Sequence, residues 1–148
     1  MRLSPVAAIV TAGFVAGTID IGAACLINML GPIVILHAIA SGVLGKPSYS
    51  GGLQTALLGL VLQWAMSITI AAIYIAASRA IPLLVKRWLS AGLAYGVAIF
   101  VVMSFVVVPL SNAWPKGRVP TPAQIIANLL AMLLFGIIVA RFARATVD

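Results

Sequence analysis

Four stretches of this chain stay apolar over lengths that only a membrane tolerates: residues about 5 to 28, 53 to 78, 88 to 108 and 122 to 144. Each is long enough to carry an α-helix across a hydrocarbon core of ~30 Å. No water reaches backbone N–H and C=O groups inside that core, so each run must close its own hydrogen bonds as a helix. Only 7% of the residues are charged and 64% are hydrophobic, where a soluble domain carries about 25% charged residues. The expectation is an all-α integral membrane protein, a four-helix bundle forming a single transmembrane domain over 1–148.

Local signals place the ends of the spans. Pro5 after Ser4 suits a first helical turn, and Gly31-Pro32 stops the first span. Residues 33–44 are apolar but too short to cross, so they read as an interfacial or re-entrant helix. The Gly/Pro/Ser-rich 45–52 reads as a loop. The second span ends near Arg79 and Pro82, and Pro109 closes the third. Thr121, Pro122 and Gln124 open the fourth as a capping box, after a loop carrying Trp114, an interfacial anchor. Arg2 ahead of an apolar run has the form of a secretion signal. Asp20 interrupts that run and it continues past any cleavage point, so an uncleaved first span is expected. Cys25 has no second cysteine to pair with and reads as a packing residue.

Charge gives topology. With four spans, both termini share a side with the connection between the second and third. That side holds Arg2, Arg79, Lys86, Arg87, Arg141 and Arg144, and the other holds Lys46, Lys116 and Arg118. Six against three places both termini in the cytoplasm. The net charge of +7 then belongs to topology and to anionic lipids at the cytoplasmic face. Without an aromatic-interleaved basic groove it does not suggest nucleic-acid binding.

Apart from Asp148, the sole acid is Asp20, in the middle of "FVAGTIDIGAACL". On a helix, Gly13, Gly17, Asp20 and Ala24 share one face. Gly13 and Gly17 are spaced as GxxxG, which lets two helix backbones approach closely. Asp20 therefore belongs against another helix, since an acid facing lipid near a span's centre costs roughly 2.5–3.5 kcal/mol. Counted from Pro5 it lies about 22 Å up the helix, and Asn128, descending from Pro122, falls at the same level. Gln63 is nearer the midplane, on a face shared with Ala56, Gly59, Ser67 and Tyr74. Gly92 and Gly96 form a second GxxxG step. The expected intramembrane polar site is Asp20 with Asn128 as first partner, Gln63 or His37 in reserve, and Tyr74 on the same polar face.

Two readings of Asp20 stand side by side: a structural hydrogen-bonding carboxyl held neutral by burial, or a proton or cation site of the kind intramembrane acids mark. His37 reads as an interfacial polar residue rather than a ligand, and the GxxxG steps as packing within the bundle, with a homo-oligomer left open. No GxSxG, HExxH, phosphate-binding loop or carboxylate pair is present. The expectation is a protein that is not an enzyme and uses no metal or cofactor.

"AGFVAGTID", the "SGVLG…GG" turn, "KRWLSAGLAYGVAIFVVMSFVVVPLS" with its terminal proline, and the basic close of the fourth span resemble a group of uncharacterised bacterial inner-membrane proteins. That group is distantly similar to the YagU-type proteins linked to acid resistance. The similarity is a pattern of glycines, prolines and span order over most of the chain, without the long loop that YagU-type proteins carry after the first helix. It implies a bacterial inner membrane and a stress-related role, and brings no catalytic residues with it. Together these features lead to a non-enzymatic membrane protein binding or passing a small solute or proton through a polar bundle interior. The alternative is a structural or accessory subunit packed against another membrane protein.

Overall fold

The computed structural model describes residues 2–148, with no strand among them. Helix α1 spans Pro5–Asn28. The Ser4 hydroxyl accepts a hydrogen bond from the Ala7 amide at 3.1 Å, satisfying one of the donors that a helix start leaves free. At its other end Met29 turns left-handed, with φ 54°, and delivers the chain to Gly31-Pro32. Helix α2 follows over Pro32–Leu44. The segment read as a loop holds a 3₁₀ turn, Lys46–Ser50, fixed from outside by Ser48, whose hydroxyl donates to the His37 carbonyl at 2.9 Å.

Helix α3 runs Gly52–Ala80, and a single turn, Leu83–Lys86, leads into α4, Trp88–Leu110. Here one expectation is corrected. Pro109 does not close α4: the helix runs through it to Leu110, and Ser111 N–H still donates to Val107 O at 3.0 Å. A proline lacks the N–H that its i−4 carbonyl needs and its ring crowds that carbonyl. The helix absorbs both by widening into a π turn over Met103–Val107, directly ahead of the proline. Helix α5, Pro122–Arg144, carries both bonds of the capping box between Thr121 and Gln124.

The four long helices are apolar enough to cross a membrane, and the protein is an all-α, multi-pass four-helix membrane bundle. Large apolar side chains such as Val6, Leu26, Phe105 and Leu130 cover its outside, as lipid contact requires. Helix α1 packs on α3 and α5, α5 on α4, and α2 on α3, whereas α3 and α4, neighbours in sequence, barely touch. Leu3 N–H donates to Ala145 O at 3.0 Å, so the two ends of the chain meet at one end of the bundle. The opposite end holds α2, tied to the loop after α4 by Asn112 N–H to Gly42 O at 2.9 Å and Trp114 N–H to the Ser41 hydroxyl at 3.1 Å.

Glycines set the closest approaches. A methyl placed on Gly13 would lie 2.5 Å from the Ile68 Cα, and one on Gly17 2.5 Å from the Ser67 hydroxyl. The α1 step is thus the seam against α3. Gly92 and Gly96 form the seam of α4 against α5, where a methyl on Gly96 would lie 2.5 Å from the Met132 carbonyl oxygen. Both GxxxG steps are filled from within the bundle. The sequence reading missed the third member of the second seam, Gly136, which faces the backbone of Gly92 and Gly96. Its signal was the small-xxx-small spacing of Gly136 and Ala140.

Candidate functional site

The α1–α3 seam fixes the register that builds the site. Gly13 meets Ile68, Gly17 meets Ser67, and one turn further on Asp20 meets Gln63. These pairings step in opposite directions along two antiparallel helices, so backbone contact at the glycines dictates which side chain the carboxyl finds. The Gln63 amide donates to Asp20 Oδ2 at 2.8 Å and to the Gly17 carbonyl at 3.3 Å. Asp20 turns inward, and the amide that meets it is itself buried.

Its other oxygen is free. Among the described residues no group bonds Asp20 Oδ1, and no occluded side-chain oxygen or nitrogen lacks a partner. That oxygen therefore opens on space. Asp20 lines a cavity of ≈ 240 Å³ between α1, α3, α4 and α5, whose polar members are Asp20, Gln63, Ser67, Ser104 and Asn128. It has room for several water molecules or one small polar solute. A second cavity of ≈ 460 Å³ shares Asp20 and Gln63 and extends past Asn28 to Ser111 at the α2 end. The carboxyl thus borders two cavities, one of which extends toward the α2 end of the bundle.

The expected site residues fall into two groups. Asp20, Gln63 and Asn128 line the same cavity. The expected Asp20–Asn128 pair does not form, however, and Gln63 is the partner. Equal depth is not lateral contact: α1 and α5 are closely packed through Ala8, Ala12, Ala16, Phe135, Val139 and Ala143 in the terminal half, and the cavity separates them above that. His37 lies elsewhere, with Nε2–H donating to Gly52 O at 2.8 Å and its ring edge-on to Tyr49; it fastens α2 to the start of α3. Tyr74 is also outside the site. Its hydroxyl donates to Leu84 O at 3.1 Å and its ring stacks on Tyr95 with centroids 4.9 Å apart. Gly52 and Tyr74 each lie eleven residues from Gln63, about 16 Å along the helix in opposite directions.

Ser104 is the site residue that sequence reasoning missed. It belongs to the π turn ahead of Pro109 and lines the Asp20 cavity beside Met103. A proline inside an apolar run was the available signal, because it forces local widening that re-aims side chains one turn back.

No protein-family model, curated protein or solved structure matches this chain. The chemistry of the site must therefore be read from its own groups. One carboxyl, two primary amides and two hydroxyls line a cavity within an apolar bundle. Such a set accepts hydrogen bonds from a cationic or protic solute and can hold a proton.

Proposed function

We propose that this is a non-enzymatic inner-membrane protein of bacteria that binds or passes a small solute or proton at Asp20. Its termini lie in the cytoplasm and the α2 end faces outward. The observation that carries the reading is an Asp20 oxygen without a protein partner, on a carboxyl bordering a cavity that Gln63, Ser67, Ser104 and Asn128 also line. A carboxyl kept only for structure gains most by having both oxygens bonded, since an unsatisfied acceptor in a membrane interior is costly. The positive residues of the terminal end, including Arg79, Lys86 and Arg87, meet anionic headgroups of the inner leaflet. A role in acid or related stress follows from the resemblance to the YagU-type group and from a lone carboxyl that a proton can occupy.

Proteoliposomes with an entrapped pH-sensitive dye test this. Wild-type protein should pass protons or methylammonium faster than empty vesicles, and Asp20→Asn, which keeps the side-chain shape and its bond to Gln63, should abolish the difference. Equal flux through both proteins, or acid survival indifferent to the substitution, overturns the proposal. The accessory-subunit reading draws on the apolar trough between α3 and α4 and requires a stoichiometric partner to co-purify in mild detergent.

A further inference from the structure

We infer that the ligand of this site is a cationic amphiphile dissolved in the bilayer, which sets an ammonium head against Asp20 and lays its tail in the trough between α3 and α4. The inference rests on the solute-site reading above and specifies its ligand.

The trough is the place where two helices consecutive in sequence fail to pack. It holds ≈ 490 Å³ and is almost entirely apolar, walled by Met66, Ile70 and Ile73 on one side and Tyr95, Ile99 and Met103 on the other. Met66, Ile70, Ile99 and Met103 also line the Asp20 cavity. The same side chains thus form the partition between the trough and the Asp20 cavity, a layer one side chain thick that includes two unbranched, adaptable methionines. A volume of this size suits a drug-sized ligand. One strap crosses it, the Tyr95 hydroxyl donating to Ile70 O at 2.7 Å.

Length supports the assignment. Asp20 and Gln63 lie in the half of the bundle nearer the α2 end, and the trough runs from their level toward Ile73 and Tyr95. From Gln63 to Ile73 is about 15 Å at ~1.5 Å per residue, the reach of an extended chain of roughly twelve carbons.

The head must be cationic to suit the groups present. An ammonium brings three donors and no acceptor, and Asp20 Oδ1, the Asn128 carbonyl and the Ser104 hydroxyl can all accept. Among the described residues no lysine or arginine lines either space, so nothing there would balance an anionic head. The tail gains little by leaving lipid for an equally apolar trough. Selectivity lies in the head, and the trough supplies lateral entry from a phase where the amphiphile is already concentrated.

The test uses the full chain in phosphatidylcholine nanodiscs, with equilibrium binding of labelled dodecylammonium, methylammonium and dodecanol corrected for empty discs. Three proteins are compared: wild type, Asp20→Asn and Ala98→Phe. Ala98 lines the trough but not the Asp20 cavity and is lipid-exposed, so a larger side chain there blocks the trough without disturbing the core. Dodecylammonium should bind saturably to wild type, and each substitution should weaken it at least ten-fold. Methylammonium should lose binding in Asp20→Asn alone, and dodecanol should show no saturable binding. Dodecylammonium binding that ignores Ala98→Phe, saturable dodecanol binding, or a co-purified helix in place of dodecylammonium overturns the amphiphile inference. Methylammonium binding that ignores Asp20→Asn overturns the underlying site as well.

Discussion

Alanine substitutions at three glycines of α1 should have effects of different size and sign, because the three positions meet different surroundings. A methyl on Gly13 would sit 2.5 Å from Ile68 Cα and 2.6 Å from its amide nitrogen. Carbon–carbon contact is comfortable at about 3.5 Å, and backbone atoms cannot rotate away, so α1 and α3 must separate by about 1 Å. A gap of that size forfeits a quarter to a half of the dispersion energy of each contact along the seam, in a setting where dispersion is the main force between helices. Overpacking of this kind costs ~1–3 kcal/mol, and alanine's better helix propensity returns at most ~1 kcal/mol. Gly13→Ala should therefore destabilise the bundle by about 1–2 kcal/mol. The same separation would lengthen the 2.8 Å Gln63–Asp20 bond to about 3.8 Å, beyond hydrogen-bond range.

At Gly17 the methyl meets the Ser67 hydroxyl at 2.5 Å and the Ser67 Cβ at 2.9 Å. The hydroxyl can turn away, leaving roughly half the displacement and a cost of ~0.5–1 kcal/mol. At Gly22 nothing lies within 4 Å, so alanine should be neutral or stabilising by up to ~1 kcal/mol. Reversible unfolding in mixed micelles, titrated with denaturing detergent, measures all three. Coincident midpoints for Gly13→Ala and Gly22→Ala would refute the close α1–α3 approach and the register that pairs Asp20 with Gln63.

Gln63→Leu removes the one protein donor to the Asp20 carboxyl and should cost ~0.5–2 kcal/mol in the same assay; unchanged stability would mean that the bond contributes nothing. Thr121→Ala deletes the side-chain acceptor of the capping box at the start of α5. It should cost about 1 kcal/mol, visible as faster amide exchange at Ala123, Gln124 and Ile125, with exchange at the core residues of α5 unchanged.

Much of the architecture follows from the chain's own chemistry. Span lengths, the Pro5 and Pro122 helix starts and the capping box depend on groups close together in sequence, and a bilayer removes every alternative to helix for an apolar run. The small-residue faces were legible for the same reason, since the helical repeat alone puts Gly13, Gly17 and Asp20 on one side. The fate of Pro109 was not legible. Whether a helix stops at a proline or widens around it depends on what holds the residues beyond, here the bonds from Asn112 to the Gly42 and Val43 carbonyls.

What the sequence by itself determined, then, is that four helices cross a membrane with one acid turned toward a small-residue seam. Tertiary structure alone decided which group answers that acid. Depth along a helix can be counted from its ends, so Asp20 and Asn128 could be placed at one level and Gln63 nearer the midplane. Lateral separation depends on how closely each pair of backbones approaches. Glycine contact brings α1 within bonding distance of Gln63 on α3, while a chamber opens between Asp20 and Asn128. The trough between α3 and α4 arose in the same way: α3 is held by α1 through Gly13 and Gly17, α4 is held by α5 through Gly92, Gly96 and Gly136, and α3 and α4 have no comparable seam for each other.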